Sequence, residues 1–165
     1  MSKIKGTTVK IGFMVASLLC VLLFVLGLVG IHDGWPAFMI PLFFFLGGAK
    51  KENLRSIFSG GAVGLLFAYG LFIGVEMLAP TIGMQPSIFL MVFLCIFLLI
   101  VLGDISHTYF NNYAFCYFTV ALIYPEQHTL TWLFVLFAGG LSLITGILFF
   151  LKIIFKPKAA KAETA

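Results

Sequence analysis

Four long runs of apolar residues constrain the fold of this sequence more than any other feature. A bilayer core about 30 Å thick requires roughly 20 apolar residues in a helix. The runs that reach or approach this length lie at about residues 11–31, 56–78, 87–106 and 129–151. Stretches such as FLMVFLCIFLLIVL do not alternate between apolar and polar residues, as the strands of a membrane barrel would. The runs therefore predict membrane-spanning helices.

Two shorter apolar segments, residues 35–49 and 108–124, raise the predicted number of helices to six. Hydrophobic residues make up 62% of the chain and charged residues 10%, a balance that a small soluble domain could not hide from water. We expect an all-α, polytopic membrane protein, with residues 1–155 as one transmembrane domain and residues 156–165 as a short basic cytoplasmic tail. The alternative is five crossings, with residues 35–49 only dipping into the membrane.

The basic residues fall on one side of the membrane if the chain crosses it six times. Of the 10 lysines and arginines, some precede the first helix, others lie in AKKENLRS at 49–56, and the rest lie at or beyond the end of the sixth helix. None lies in IHDGW, APTIGMQP or PEQHT. Because basic residues concentrate in cytoplasmic loops, both termini are predicted to be cytoplasmic. The net charge of +4 then reflects topology and anionic lipid, and we expect no nucleic-acid partner.

A weak internal repeat relates the two halves of the chain. The segment FSGGAVG at 58–64 is similar to FAGGLSL at 137–143, and each opens the third helix of its half. Because three helices per half is an odd number, the halves would cross the membrane in opposite senses. The pattern favours an inverted 3+3 repeat.

The segment GWPAFMIPLFFFLGGAKKENLRSIFSGGAVGLLFAYG, residues 34–70, resembles the core of the small bacterial inner-membrane proteins grouped as domain of unknown function 1097. The shared features are a Trp after the first helix, an aromatic-rich run to Gly-Gly, a lysine-bearing turn and a Ser-x-x-Gly-like opening of the next helix. The matching positions are Trp35, Phe44, Gly47, Gly48, Lys51, Ser56 and Gly64. This sequence departs from the family pattern in carrying more Phe and fewer small residues. The resemblance implies a six-helix protein of the bacterial cytoplasmic (inner) membrane. The family has no established activity, so no chemistry is implied.

Glycines recur at one-turn spacing on the third and sixth helices, which permits close approach of a neighbouring helix. The predicted helix-packing positions are Gly60, Gly64, Gly70, Gly74, Gly139 and Gly140. We expect Gly64 to face a partner helix and the adjacent Leu65 to tolerate a larger side chain. The partner helix belongs either to the same chain or to another subunit of a homo-oligomer.

Side chains that could perform catalysis are few and scattered. The three cysteines lie alone in apolar helices without C-x-x-C spacing, which is typical of small buried residues. Asp104 and His107 are spaced to share one face at the end of the fourth helix, but a zinc site needs about three or four protein ligands. The sequence shows no nucleophile–base pair and no phosphate-binding loop. We therefore expect that the protein is not an enzyme and binds neither a metal ion nor a cofactor.

The two short segments give the clearest indication of function. Residues 35–49 would extend only about 22 Å as a helix, and residues 108–124 occupy the corresponding place in the second half. Matched short segments usually mark the binding site of a transporter. Glu76, an acid within the third helix, either reaches the interface or faces the interior. The predicted solute path comprises Phe38, Pro41, Phe45, Tyr69, Glu76, Asn112, Tyr113, Phe115, Tyr117 and Thr119.

The predicted lining is aromatic with a few neutral polar groups and has no buried positive charge, which suits a small neutral or weakly polar solute. The sequence therefore predicts a small channel or transporter in the inner membrane, with the lipid bilayer and a small-molecule solute as partners. The alternative is a non-transporting membrane scaffold or accessory subunit, whose aromatic side chains face lipid.

Overall fold

Six helices form the protein in a computed structural model that describes residues 6–124, 126 and 128–154. They are α1 Gly6–Leu28, α2 Trp35–Leu46, α3 Glu52–Ile82, α4 Met84–Ile105, α5 Asn112–Ala121 and α6 Thr129–Ile154. Helix α6 is continuous but contains a turn of π-helix at Val135–Gly139. The described residues contain no strand, so the expected all-α class is confirmed. The predicted cytoplasmic tail at 156–165 lies outside the described residues.

Only four of the described helices, α1, α3, α4 and α6, are long and apolar enough to cross a membrane. Helix α2 has 12 residues and α5 has 10, so at about 1.5 Å per residue they extend about 18 and 15 Å, against a hydrocarbon core of about 30 Å. Gly48 and Ala49, with φ of 76° and 57°, turn the chain after α2. Among the described residues, the structure therefore has four helices of membrane length and two of about half that length, at the positions of the two shorter predicted segments.

Helices α3 and α4 form a hairpin whose turn is much tighter than the sequence predicted. The segment APTIGMQP at 79–86 was expected to be a loop, but only Gly83 separates the two helices. Its φ of +90° lies in the region that favours glycine. Pro86 falls in the first turn of α4, where its missing N–H has no intrahelical partner to lose. Ser87 Oγ donates a 2.7 Å hydrogen bond to the Gly83 carbonyl and closes the turn.

Helix α3 is the centre of the fold and packs against α2, α4, α5 and α6. Its buried side recurs every three or four residues, as a helix with one packed face requires. Helix α1 packs against the C-terminal part of α6, whereas α4 packs mainly against α3. The outer faces of α1 and α4 expose large apolar side chains such as Phe13, Phe24, Phe89 and Phe93. These faces have the composition expected of surfaces that contact lipid.

Most of the glycines predicted to pack do lie against neighbouring helices. A Cβ added at Gly64 would meet backbone atoms of α5, and one at Gly60 would meet the Asn111 side chain. Gly74 lies against Met91 of α4, and Gly139 and Gly140 lie against Ala37 and Ile40 of α2. Gly70 differs, because no described atom lies within 4 Å of its added Cβ. Gly70 faces outward on α3, so it is not a packing position among the described residues.

Candidate functional site

A cleft of about 790 Å³ lies where the ends of α2 and α4 meet the start of α5. Its apolar wall includes Phe43 and Leu46 from α2 and Leu99 from α4. Its polar side carries Asp104, His107, Asn111, Asn112 and the Tyr113 side chain. Both Asp104 and His107 are exposed, so the ionisable groups lie at the mouth of the cleft. The cleft therefore offers an amphipathic environment between helices of different lengths.

Asn111 fixes the point at which α5 begins, next to the cleft. Its Oδ1 accepts hydrogen bonds from the backbone N–H groups of Tyr113 at 2.9 Å and Ala114 at 3.1 Å, which satisfies two of the donors left free at a helix start. Its Nδ2 lies 3.1 Å from the carbonyl oxygen of Ser56 on α3 and 2.9 Å from that of Thr108. The predicted solute path includes Asn112 but not Asn111. An Asn directly before an apolar segment is typical of a helix N-cap, and this pattern could have identified Asn111 from the sequence.

The loop between α4 and α5 is attached to α3 by a second side chain. Ser59 Oγ lies 2.7 Å from the carbonyl oxygen of Thr108 and 2.7 Å from that of Arg55 in its own helix. Because a hydroxyl has one proton, it donates to one of these carbonyls at a time. Together with Asn111, Ser59 holds the rim of the cleft on the central helix.

Three of the predicted path residues line the cleft, namely Asn112, Tyr113 and Phe115. Asn112 is exposed, and the Tyr113 ring lies 4.8 Å from the ring of Phe43, centroid to centroid. The α2 side of the cleft is thus formed by Phe43, whereas Phe38 and Phe45, which the predicted path includes, do not line it. Phe38 and Phe45 are seven residues apart and so share a face of α2, but tertiary packing turns the Phe43 face toward α5.

The remaining predicted path residues lie apart from the cleft. Pro41 is buried within α2, and Glu76 is exposed on α3; neither residue lines the cleft. Thr119 is exposed on α5 and bonds to the carbonyl of Phe115 at 2.9 Å in its own helix. Tyr69 lines a different cavity between α3 and α6. A single path through all ten predicted positions is therefore not present in this arrangement.

Tyr117 belongs to a buried aromatic cluster at the far end of α5 from the cleft mouth. Its ring packs 5.8 Å from Trp35, and Trp35 also contacts Tyr124 and Trp132 at centroid distances of 5.8 and 5.4 Å. Trp132 Nε1 donates a 3.0 Å hydrogen bond to Asp33. Burial, and secondarily the Asp33 carboxylate, raises the pKa of Tyr124 above its usual value. The cluster is packed and closes this end of the helix bundle.

We expect Tyr117→Phe to destabilise the protein by about 1–2 kcal/mol, as a measured fall in the thermal midpoint in detergent. The Tyr117 hydroxyl is buried and donates a 2.7 Å hydrogen bond to the Pro36 carbonyl. The substitution keeps the ring but removes this buried hydrogen bond, at a cost of about 1 kcal/mol or a little more, since a net hydrogen bond contributes about 0.5–1.5 kcal/mol. Tyr109→Phe, at an exposed tyrosine, is the control and should change the midpoint little. A Tyr117→Phe midpoint equal to the wild-type value would contradict the structural role of this bond.

Within the described residues, no group of three or more His, Cys, Asp or Glu side chains could hold a metal ion. Asp104 and His107 both line the cleft, as potential hydrogen-bonding groups at its mouth. The cysteines are free, and they differ in environment: Cys95 is buried, Cys116 is half-buried beside the cleft, and Cys20 is exposed on α1. The expectation that all three are buried is therefore wrong for Cys20.

Comparisons with models of known protein families, with curated proteins and with solved structures found no match to this chain. The resemblance of residues 34–70 to a family of small inner-membrane proteins stays a prediction. The helices alone indicate a membrane protein, because four of those described have the length and hydropathy of membrane spans.

Proposed function

We propose that this chain is an integral protein of the bacterial cytoplasmic (inner) membrane that binds a small neutral or weakly polar solute in the α2–α4–α5 cleft and transports it. The observation that carries the proposal is the cleft itself, about 790 Å³ in volume, with an apolar wall and a polar side. Ligand sites of this kind combine apolar walls with a few convergent polar groups. Here the Asn112 amide and the Tyr113 hydroxyl can both donate and accept hydrogen bonds.

The half-length helices support transport over a purely structural role. Helix α2 ends beside the cleft and α5 begins there, so both interrupted segments contribute to one site. They occupy corresponding places in the two halves of the chain, which is the arrangement found at transporter binding sites. A 3+3 inverted relation of the halves, with α2 and α5 as partial crossings, is part of this proposal.

The closed aromatic cluster favours a transporter over an open channel. The cleft opens at one end of α5, while Tyr117, Trp35 and Trp132 pack together toward the other. A solute could enter the cleft in this arrangement but would pass only after the cluster separates. The basic residues Lys50 and Lys51 follow α2 directly, so by the positive-inside rule the open end is cytoplasmic.

Solute flux into liposomes containing the purified protein tests the proposal. We expect flux above that of empty liposomes for small neutral solutes, and a severalfold lower rate for Asn112→Leu, because the variant removes a hydrogen-bonding group from the cleft. Thr119→Val is the matched control, since Thr119 lies on the same helix but outside the cleft, and its flux should equal that of the wild type.

Two results would contradict transport through this cleft. Wild-type flux no higher than that of empty liposomes, for every solute tried, would favour the scaffold or accessory role. Flux that is equally insensitive to Asn112→Leu and Thr119→Val would place the path elsewhere. Circular dichroism of each variant separates these outcomes from misfolding.

A further inference from the structure

A second cavity, of about 450 Å³, lies between α3 and the start of α6. Its polar lining comes from Tyr69 on α3 and from His128, Thr129 and Thr131 at the start of α6. Its apolar lining comes from Leu66, Leu130 and Leu133. The proposed transport site uses none of these residues.

The start of α6 is a helix N-terminus beside this cavity, and no side chain among the described residues caps it. The first N–H groups of any helix lack partners within the helix, and here no described side chain caps them. Helix α5 differs, because Asn111 accepts hydrogen bonds from two of its first N–H groups. Helix α6 runs for 26 residues, so its N-terminus carries the partial positive charge of a long helix dipole. Such an end favours an anion.

Thr129 provides an independent indication of a ligand. Its side chain lines the cavity but is only 6% exposed. Its hydroxyl has no hydrogen-bond partner among the described residues. A buried hydroxyl without a partner costs about 1–3 kcal/mol, and an ion, ligand or water that bonds to it is one way in which a native protein offsets this cost. A ligand with acceptor oxygens at the helix start would satisfy Thr129 and the free N–H groups together.

The polar and the apolar residues that line the cavity lie at different levels along α3 and α6. Helices α3 and α6 are antiparallel, because Phe58 stacks on Phe137 and the added Cβ of Gly61 would lie 3.2 Å from Leu136. Tyr69 is therefore level with the start of α6, and Leu66 lies nearer Leu133, toward the middle of both helices. The polar groups sit at the end of the helix pair, and the leucines extend from them toward the membrane interior. Leu130 is 84% exposed and Leu66 51% exposed, so lipid can reach this surface.

We propose that the cavity binds a phosphate group at the N-terminus of α6, and that the phosphate belongs to the headgroup of a membrane lipid whose acyl chain lies on Leu66, Leu130 and Leu133. The Thr129 hydroxyl and the first N–H groups of α6 donate to the phosphate oxygens. The hydroxyls of Tyr69 and Thr131 lie in the same lining and are further donors. Free inorganic phosphate could accept the same hydrogen bonds but has no acyl chain to pack on the three leucines.

The carboxylate of Glu126 opposes an anion at this site. The Glu126 carboxylate lies 3.5 Å from His128 Nε2. Its side chain is 82% exposed, so solvent screens its repulsion of a phosphate more than burial would. The helix N-terminus and the hydrogen-bond donors face the cavity, where solvent screens charge less. The site as a whole therefore favours an anion.

Short-chain lipids test this site in purified, detergent-solubilised protein. The probes are dioctanoyl-phosphatidylglycerol, dioctanoylglycerol, which lacks the phosphate, and inorganic phosphate, each titrated with native mass spectrometry and thermal unfolding as readouts. We expect the phospholipid to bind and raise the thermal midpoint, and dioctanoylglycerol to bind about tenfold more weakly or less. Thr129→Val should weaken phospholipid binding about tenfold, the factor expected for one hydrogen bond to a charged group. The lipid-free midpoint of Thr129→Val should equal or exceed that of the wild type, because the variant removes an unsatisfied hydroxyl.

A second variant keeps the test decisive if Thr129→Val does not fold. His128→Asp places a capping carboxylate at the exposed N-cap position of α6, which should occupy the first N–H groups of the helix and abolish phospholipid binding. The controls are Thr145→Val, at an exposed threonine in the other half of α6, and His32→Asp, at an exposed histidine in the α1–α2 loop. Inorganic phosphate that binds as tightly as the phospholipid would support the phosphate site and assign it to the free ion. Equal binding of dioctanoylglycerol and the phospholipid, or unchanged phospholipid binding in both site variants, would overturn the proposal.

Discussion

Gly64→Leu is expected to prevent α5 from docking on α3 and to leave little folded protein in detergent. Even a Cβ at this position would meet the Ala114 carbonyl, and would lie 2.9 Å from the Phe118 backbone nitrogen. Both are backbone atoms of α5, so a rotamer change cannot relieve the overlap. Overpacking of a core usually costs about 1–3 kcal/mol, and we expect a loss at or above the upper end. That is a large part of a typical folding stability of about 5–15 kcal/mol.

Gly70→Leu is the matched control, because it makes the same substitution on the same helix where the added atom meets open space. Its midpoint should stay close to the wild-type value, helped by the higher helix propensity of leucine. Thermal unfolding by circular dichroism and elution on size-exclusion chromatography measure both variants. Equal tolerance at Gly64 and Gly70 would show that α3 and α5 are not in this close contact. The prediction that Leu65 tolerates a larger side chain is wrong, because Leu65 is fully buried, and Leu65→Phe therefore cannot serve as the control.

Asn111→Ala should be the second most damaging of these substitutions, with a loss of about 2–4 kcal/mol. Removing a helix N-cap costs about 0.5–2 kcal/mol. The variant also leaves the Ser56 and Thr108 carbonyls without the donor Nδ2, at about 0.5–1.5 kcal/mol for each net hydrogen bond. Because Asn111 links the start of α5 to α3, its loss should also loosen the rim of the cleft.

Thermal unfolding together with hydrogen exchange of the α5 amides measures this effect. The control is Asn112→Ala, the adjacent residue of the same type, whose side chain is exposed at the cleft. We expect faster exchange in the first turn of α5 for Asn111→Ala only. Similar midpoints and exchange rates for the two variants would mean that the hydrogen bonds of Asn111 do not hold α5 in place.

The long helices could be predicted from the sequence because length and hydropathy alone determine them. The helix ends could not, since APTIGMQP has the composition of a loop but Pro86 is tolerated in the first turn of α4. The short segments were located correctly, yet their lengths depend on local geometry, namely the positive φ at Gly48 and the cap at Asn111.

The candidate site was predicted less well than the fold. Spacing shows which residues share a helix face, but not which neighbour that face meets. Phe38 and Phe45 therefore appeared as a wall, although the packing of α2 presents Phe43 to Tyr113. Tyr117 appeared as a lining residue because it is polar and aromatic, whereas its hydroxyl is satisfied inside the core by Pro36. Asn112 and Tyr113, which the predicted path includes, line the cleft because they lie at the start of the short helix α5.

The π turn at Val135–Gly139 gives α6 two packing phases in a single helix. An α-helix advances about 100° per residue, and a π turn accommodates one extra residue. The extra residue shifts the faces after the turn by about 100° relative to those before it, so that Trp132 packs in the aromatic cluster while Gly140 lies against Ile40 of α2. Helix α6 thus presents Trp132 and Gly140 to different neighbours at an angle that an uninterrupted α-helix would not give.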